Sequence, residues 1–152
     1  HLGVTEAGTF FRGSIHSAVG IGTLLAEGIG DTLRVSLTDN PVEEIRVGRE
    51  ILKSLNLARQ GVTVVSCPTC GRLEVDLIPI VKEIEAAVVR VPKNIRVAVM
   101  GCVVNGPGEA READIGVACG KGFADLFYKG EKLARVPEEK IVSEVLTEID
   151  KF

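Results

Sequence analysis

Alternating apolar and polar residues mark the first clearly predicted strand of the chain. Over 31–37 every second residue is apolar, which places three apolar side chains on one face of an extended segment: Leu33, Val35 and Leu37. A short strand is also predicted over 1–7. Between the two strands, the apolar spacing over 13–30 predicts a helix with Ser14 as its N-cap and two glycines at its end.

A second helix is predicted after the strand at 31–37. The turn at 38–41 brings Pro41 to the first helical position. A backbone N–H at this position makes no intrahelical hydrogen bond, so proline, which lacks one, is tolerated there. We expect this helix to run to about residue 55, with four residues on its apolar side: Val42, Ile45, Leu52 and Leu55. The order strand–helix–strand–helix predicts parallel α/β pairing over 1–55.

The second part of the chain follows a polar break at 56–61, which we take as the domain boundary. Three strands are predicted at 62–66, 95–101 and 114–119. A hairpin over 123–136 is predicted to turn at Lys129–Gly130. Helices are predicted over about 74–90 and from Pro137 to the end, so this part is interpreted as an α+β domain.

The composition narrows the class of protein. The chain has 152 residues, a formal net charge of −3 and a pI of about 5.5. It therefore lacks the excess of positive charge that is typical of proteins that bind nucleic acids. No run approaches the ~18 apolar residues of a membrane-spanning helix. Four cysteines in such a chain are typical of metal or redox chemistry in a reducing compartment. We expect a cytoplasmic protein without nucleic-acid or membrane partners.

Three of the cysteines fall in two short motifs. The sequence "SCPTCGR" at 66–72 contains Cys67 and Cys70, and "GCVVNGPGEA" at 101–110 contains Cys102. Both Cys67 and Cys102 come just past the end of a predicted strand, where a side chain is held in a fixed position. If the two strands are neighbours in one sheet, the three thiols converge.

Three kinds of site compete for these thiols. A structural zinc site commonly uses two close pairs of ligands, but sixteen residues separate Cys102 from Cys119. A thioredoxin-like dithiol pair would leave Cys102 and its loop without a role. An iron–sulfur cluster takes a Cys-x-x-Cys pair and a distant cysteine, and its fourth ligand is then either Cys119 or Glu109. On spacing alone, Glu109 is most simply a solvated loop residue, and Cys119 a small buried one.

Together, the motifs carry a resemblance to a known family. "HLGVTEAG", "RVSLTDNP", "SCPTCGR" and "CVVNGPGEA" closely resemble the C-terminal half of the bacterial 4-hydroxy-3-methylbut-2-enyl diphosphate synthases. The resemblance implies the last two βα units of a TIM barrel over 1–57, followed by a small α+β iron–sulfur domain over 58–152. It also implies a 4Fe-4S cluster with four protein ligands: Cys67, Cys70, Cys102 and Glu109. Cys119 is then the one cysteine of the sequence that does not bind the cluster.

The family's reaction is a reductive ring opening. Two electrons enter and one water leaves as 2-C-methyl-D-erythritol 2,4-cyclodiphosphate becomes the linear allylic diphosphate. The resemblance implies that the iron released by Glu109 binds a substrate-derived oxygen. It also implies that ferredoxin or flavodoxin supplies the electrons singly, and that the full-length protein is a homodimer.

Roles are also expected for four residues that are not cluster ligands. Glu6 ends a predicted strand and matches the family's catalytic acid–base carboxylate. Arg34 and Ser36 lie near the end of the next strand, where barrel active sites are built, and we expect them to bind a phosphate group. Asn105 matches a family residue near the substrate.

The length of the chain limits what it is expected to do alone. An eight-stranded barrel needs about 200–250 residues, and only two βα units are predicted over 1–55. We therefore expect a C-terminal fragment that is inactive by itself, because the rest of the substrate site is absent. The alternative from another class is a non-catalytic module that binds a cluster or a metal, with 1–55 merely packed beside it.

Overall fold

The computed structural model describes residues 1–58 and 61–152. Residues 59 and 60 belong to the predicted boundary segment 56–61 and lie outside the described residues. The chain divides into two compact units, His1–Arg59 and Gln60–Phe152.

The first unit contains two parallel strands and two helices. Its elements are β1 (Leu2–Gly3), α1 (Phe10–Ala26), β2 (Leu33–Arg34) and α2 (Pro41–Ser54). Leu2 pairs with Leu33 and Gly3 pairs with Arg34, so the predicted order and parallel pairing are confirmed. The predicted apolar face of the second strand segment is also confirmed. Val35 is buried in a small core with Ile21, Val47 and Ile51, and Leu33 and Leu37 are partly buried against this core.

Two local predictions for this unit were wrong. Helix α1 begins at Phe10 after an extended Thr9, so Ser14 lies inside the helix, and its hydroxyl donates to the Phe10 carbonyl over 2.6 Å. The predicted apolar side of α2 was wrong for Val42 and Ile45, which are 56% and 60% exposed, whereas Leu55 packs against the core as expected. The buried side of α2 contains a glycine instead, and its bare backbone approaches the strand more closely than a larger residue would allow: a Cβ on Gly48 would lie 3.2 Å from Leu33 Cδ1.

The second unit is built on one five-stranded mixed sheet. Its elements are β3 (Val62–Ser66), α3 (Leu77–Val88), β4 (Ile95–Met100), α4 (Gly106–Arg111), β5 (Ile115–Gly120), β6 (Phe123–Tyr128), β7 (Glu131–Pro137) and α5 (Ile141–Lys151). The strands lie in sequence order, with β3, β4 and β5 parallel and β6 and β7 antiparallel. The hairpin turns as predicted, because Lys129 and Gly130 both have positive φ.

The two faces of this sheet are covered differently. One face packs against α3 and α5 in the main core, and its largest buried strand residues include Ile95, Val97, Val99, Ile115 and Val117. The other face carries α4, which contacts β4, β5 and β6. Because α4 has only six residues, it leaves the part of this face beside β3 open. This uncovered part is called the open face below.

Two predictions about the second unit need correction. The segment 106–111 reads as a loop because it contains two glycines and a proline, but it forms α4. Gly116 on β5 permits this, since a Cβ there would lie 2.1 Å from the Ala110 carbonyl oxygen. Pro137 does not start the last helix, because it ends β7, and a 3-10 turn at Glu138–Lys140 precedes α5. In the described part of the chain, none of the helices has the length and apolarity to cross a bilayer.

Candidate functional site

The cysteine motifs meet at one edge of the second unit's sheet. Strands β3 and β4 are parallel neighbours, with Ser66 paired to Val99, so their carboxyl ends lie side by side. Cys67 follows β3 directly and Cys102 follows β4 after one residue. The intervening Gly101 donates its backbone N–H to Cys67 Sγ over 3.3 Å. The strands that lead to Cys67 and Cys102 are therefore neighbours in one sheet, as convergence of the two motifs requires.

A cleft of about 390 Å³ opens at this edge and along the open face. All three motif cysteines line it, together with Asn105, which directly precedes α4, and Glu109, which lies in α4. Asn105 and Glu109 are both exposed. The structure therefore brings together every sequence-predicted site residue of the second unit.

Cys102 is held in surroundings that favour its thiolate. Its pKa lies below the ordinary 9.0, mainly because the backbone N–H groups of Asn105 and Val104 donate to its sulfur. Burial opposes this effect, since the residue is 8% exposed, while the Gly106 N–H and the Arg72 charge add to it. A thiolate is the form that binds metal, so Cys102 is prepared for ligation.

The segment that carries Cys70 is a tight, exposed turn. The Cys70 N–H donates to the Pro68 carbonyl over 2.9 Å, and the Cys70 carbonyl accepts from Leu73 over 3.2 Å. A further bond of 2.9 Å from the Glu74 N–H to the Gly101 carbonyl ties this turn to the end of β4. The two cysteine motifs are thus joined by backbone hydrogen bonds as well as by the sheet.

Cys119 lies apart from the cleft. It is fully buried in the main core, on the face of β5 that packs against α3 and α5. Burial, with the negative charge of Glu138 as a smaller cause, raises its pKa to about 12. Its sulfur therefore stays a neutral thiol at ordinary pH, which is the poor form for a metal ligand.

Two arginines in the cleft were not predicted as site residues. Arg72 follows the Cys-x-x-Cys pair, and Arg96 is the second residue of β4. The signal for Arg96 was present in the alternation of β4, because Arg96, Ala98 and Met100 form the face opposite to the apolar core residues.

Among the described residues, no three His, Cys, Asp or Glu side chains converge on one point as a site for a single metal ion.

Of the predicted residues of the first unit, Arg34 lies in a strand and Glu6 and Ser36 lie in the loops that follow the strands. The prediction that Glu6 ends a strand was wrong, because β1 already ends at Gly3. Glu6 follows β1 with a positive φ of 56°, an uncommon conformation for a residue with a side chain. Arg34 belongs to β2 and is exposed, and its guanidinium lies against Gly3, where a Cβ would be 3.0 Å from Nη2. Ser36 is partly buried two residues further on.

Backbone bonds fix the loops that carry these residues. The Thr38 N–H donates to the Gly8 carbonyl over 2.9 Å, which joins the loop after β1 to the loop after β2. The Leu37 N–H donates to the carboxylate of Glu44, in the first turn of α2, over 2.8 Å. Glu6 and Ser36 are therefore carried on loops with defined anchors.

These features define a class: an α/β protein of two compact units, of which the second carries a cleft lined by three cysteines. Residues 63–151 match the family described as the GcpE protein C-terminal domain, and residues 1–49 match the GcpE TIM-barrel domain. The chain belongs to the GcpE family.

Several similar proteins carry the name "4-hydroxy-3-methylbut-2-en-1-yl diphosphate synthase (flavodoxin)". The chain is 63% identical to the protein of that name from Clostridium acetobutylicum and 63% identical to the one from Clostridium perfringens, each over 150 residues and 99% of this chain. It is 57% identical to the one from Geobacter sulfurreducens over its full length of 152 residues. The chain spans 43% of the length of each of these relatives.

Proposed function

We propose that the chain is part of a reductive iron–sulfur enzyme that converts 2-C-methyl-D-erythritol 2,4-cyclodiphosphate to 4-hydroxy-3-methylbut-2-enyl diphosphate. The observation that carries the proposal is the single cleft lined by three motif cysteines and Glu109. The names of the relatives, each of which shares more than half of its aligned residues with this chain, support the reaction.

The donors around the cleft fit an iron–sulfur cluster. Thiolates are the ligands such clusters take, and the backbone donors at Cys102 stabilise that form. We propose Cys67, Cys70, Cys102 and Glu109 as the ligands of a 4Fe-4S cluster. A cluster bound there would supply two electrons to the substrate, one at a time.

Glu109 differs from the other proposed ligands in chemistry and in position. A carboxylate oxygen binds iron less tightly than a thiolate does. The residue is exposed in the first turn of a six-residue helix, and among the described residues it makes no ion pair. Its side chain is therefore free to turn away and leave room for an oxygen atom of the substrate.

Residues of the first unit are proposed to handle protons and phosphate. Glu6, in the loop that follows β1, would donate the proton with which a substrate hydroxyl leaves as water. Arg34 and Ser36 would bind one phosphate group, the arginine with its planar pair of donors and the serine with its hydroxyl. Asn105 would donate a hydrogen bond to the substrate from the rim of the cleft.

The partners follow from the same proposal. The word flavodoxin in the relatives' names supports a reduced flavodoxin as the electron donor, with ferredoxin as the other candidate. We further propose that the full-length protein is a homodimer, in which these two βα units belong to a complete TIM barrel and the second unit is the cluster-binding domain.

Anaerobic reconstitution with iron and sulfide tests the site directly. We expect about four irons and four sulfides per chain, with the broad visible absorption of a cluster. Changing Cys67, Cys70 or Cys102 to Ser should abolish this content, while Cys119→Ala, which removes a thiol outside the cleft, should leave it intact. Equal loss in the Cys119 variant would refute the ligand assignment.

Turnover is then measured in the protein extended to the full length of its relatives. With reduced flavodoxin and the cyclodiphosphate, we expect the linear allylic diphosphate, identified by mass spectrometry. A protein that takes up the cluster but leaves the cyclodiphosphate unchanged would instead support a non-catalytic cluster module.

A further inference from the structure

The thiol of Cys67 accepts a hydrogen bond from the protein backbone. Cys67 is the first residue after β3, Gly101 is the first residue after β4, and the two strands are parallel neighbours. The Gly101 N–H donates to Cys67 Sγ over 3.3 Å. Because β3 has already ended, the acceptor at this point is a side-chain sulfur and not a strand carbonyl.

The fold fixes the direction of this N–H. On one side of Gly101, Met100 is paired with Ala118 of β5. On the other side, the Gly101 carbonyl accepts the Glu74 N–H over 2.9 Å. The turn packs closely here, since a Cβ on Gly101 would lie 2.1 Å from Leu73 Cδ2. The donor is therefore held toward the sulfur in advance and need not reorient when charge develops there.

The surroundings strengthen this hydrogen bond. Gly101 is buried and Cys67 is partly buried, and a hydrogen bond is electrostatically stronger in such surroundings than in water. Cys102 is also buried, and its sulfur accepts backbone N–H groups of the loop that follows it. Cys70 is exposed instead. Two of the three thiols proposed as ligands therefore have backbone donors that are shielded from water.

We propose that the Gly101 N–H raises the reduction potential of a cluster bound at Cys67, which makes Gly101 a positioning residue for electron transfer. Reduction adds one negative charge, part of which spreads onto the ligand sulfurs. An N–H dipole aimed at such a sulfur stabilises the more negative state, and hydrogen bonds to sulfur are among the factors that set cluster potentials. The inference rests on the proposed function, because Cys67 must bind a cluster.

The step concerned is the transfer of one electron. Reduced flavodoxin, the proposed donor, loses one electron and the cluster gains it, while no bond of this chain forms or breaks and no proton has to move. A higher potential at the acceptor makes this transfer more favourable. Loss of the Gly101 N–H should therefore hinder reduction without removing any of the proposed ligands.

An ester in place of the peptide bond between Met100 and Gly101 removes this N–H and adds no side chain. The sequence makes such a chain accessible by ligation, because Cys67 begins a segment of synthetic length and Cys102 begins the next segment. The full chain is assembled from 1–66, 67–101 and 102–152, refolded, and reconstituted anaerobically with iron and sulfide. An unmodified chain made by the same route is the reference.

The matched control is an ester between Leu73 and Glu74. It removes the N–H that the Gly101 carbonyl accepts, so it loosens the same turn but leaves the donor to sulfur in place. Iron and sulfide contents that agree among the three chains establish that the ligands are kept.

Redox titration, followed by the EPR signal of the reduced cluster, measures the potential. We expect the Gly101 ester to make one-electron reduction about 3- to 10-fold less favourable than in the reference chain, as for the loss of one hydrogen bond. A tenfold change corresponds to a potential lower by about 59 mV. The Glu74 ester should change the potential much less.

A second measurement leaves the backbone intact. The synthetic segment is labelled with nitrogen-15 at Gly101 alone, or at Glu74 alone as the control, and pulsed EPR of the reduced cluster detects nitrogen nuclei that are coupled through a hydrogen bond. We expect a larger coupling from Gly101 than from Glu74. This comparison decides the question if the Gly101 ester takes up no cluster.

The outcomes separate this inference from the proposed function. Equal potentials in the reference chain and the Gly101 ester, or a Gly101 coupling no larger than that of Glu74, would overturn the inference and leave the proposed function in place. An equal fall of the potential in both esters would assign the effect to the loosened turn and would overturn the inference as well. A reference chain that takes up no iron would refute the proposed function, and with it the group on which this hydrogen bond acts.

Discussion

The backbone N–H of Gly101 donates to the Sγ atom of Cys67 over 3.3 Å, and this bond joins the ends of two parallel strands. Gly101 therefore positions a proposed ligand through its backbone, while its missing side chain serves a second purpose. A Cβ at this position would lie 2.1 Å from Leu73 Cδ2 and 3.2 Å from Leu77 Cδ2. The glycine is needed because the turn that carries Cys70 packs directly on the strand end.

Gly101→Ala should lower the free energy of unfolding by about 1–3 kcal/mol, because Leu73 must shift to admit the new methyl group. Urea unfolding measures the change. Gly108→Ala is the matched control: a Cβ on Gly108 meets no atom within 4 Å, and alanine favours a helix, so stability should hold or rise by up to about 1 kcal/mol. If Gly101→Ala were as stable as the control, the packing argument would be wrong.

Gly116→Ala should be the most damaging of the glycine substitutions near the cleft. The new Cβ would meet backbone atoms of Ala110, with the carbonyl oxygen at 2.1 Å, and backbone cannot rotate aside as a leucine tip can. Helix α4 must then move away from β5, carrying Glu109 with it. We expect a larger loss of stability than in Gly101→Ala, together with reduced cluster content after reconstitution. Stability equal to that of the wild type would contradict the close contact.

Strands β3 and β4 could be predicted from the sequence, because both are rich in β-branched residues and each leads within two residues to a cysteine. Helix α4 could not, since Gly106, Pro107 and Gly108 have poor helix propensity, and the helix depends on close packing against Gly116. Arg96 was missed because one charged residue in a strand reads as solvated until the open face is known. Local pattern cannot show which face a short helix leaves uncovered.

Cys119 should make stability depend on pH above 9. Its pKa is 9.0 in an ordinary environment and about 12 in the folded protein. Between these values the unfolded chain has lost a proton that the folded chain keeps, so stability falls as pH rises, by up to about 1.4 kcal/mol per pH unit. Below pH 9 the contribution is fully present.

Urea midpoints at about pH 8.5, 9.5 and 10.5, compared between wild type and Cys119→Ala, isolate this effect, because the other titrating groups are common to both. The wild type should lose stability more steeply than the variant over this range. Parallel curves would mean that Cys119 is not held as a buried neutral thiol.

Glu44→Ala should release the loop that carries Ser36. The Glu44 carboxylate accepts the Leu37 N–H over 2.8 Å, and its loss should cost about 1.5–3 kcal/mol of stability, as expected for a hydrogen bond to a charged group. Glu44→Gln keeps an acceptor and should recover part of the loss. The neighbouring Glu43 forms only a surface ion pair with Arg46, so Glu43→Ala is the control and should change stability by less than about 1 kcal/mol. Similar losses in Glu43→Ala and Glu44→Ala, measured by urea unfolding, would remove the anchoring role.

Glu109→Cys tests whether a displaceable oxygen ligand is the reason for a carboxylate in this cleft. Residue 109 lines the same cleft as the three thiols, so a fourth thiolate from this position should still reach a reconstituted cluster. Sulfur binds iron more tightly than a carboxylate oxygen does, so the cluster should survive exposure to air for longer. The decay of its visible absorption in air measures this. In the protein extended to full length, the same substitution should lower turnover strongly, because the substrate oxygen can no longer displace the ligand.

Glu109→Gln is the control for the charge of this side chain. An amide binds iron more weakly than a carboxylate does, so the cluster of this variant should decay faster in air than that of the wild type. A Glu109→Cys enzyme that gained air stability and kept full turnover would show that release of this ligand is no part of the reaction.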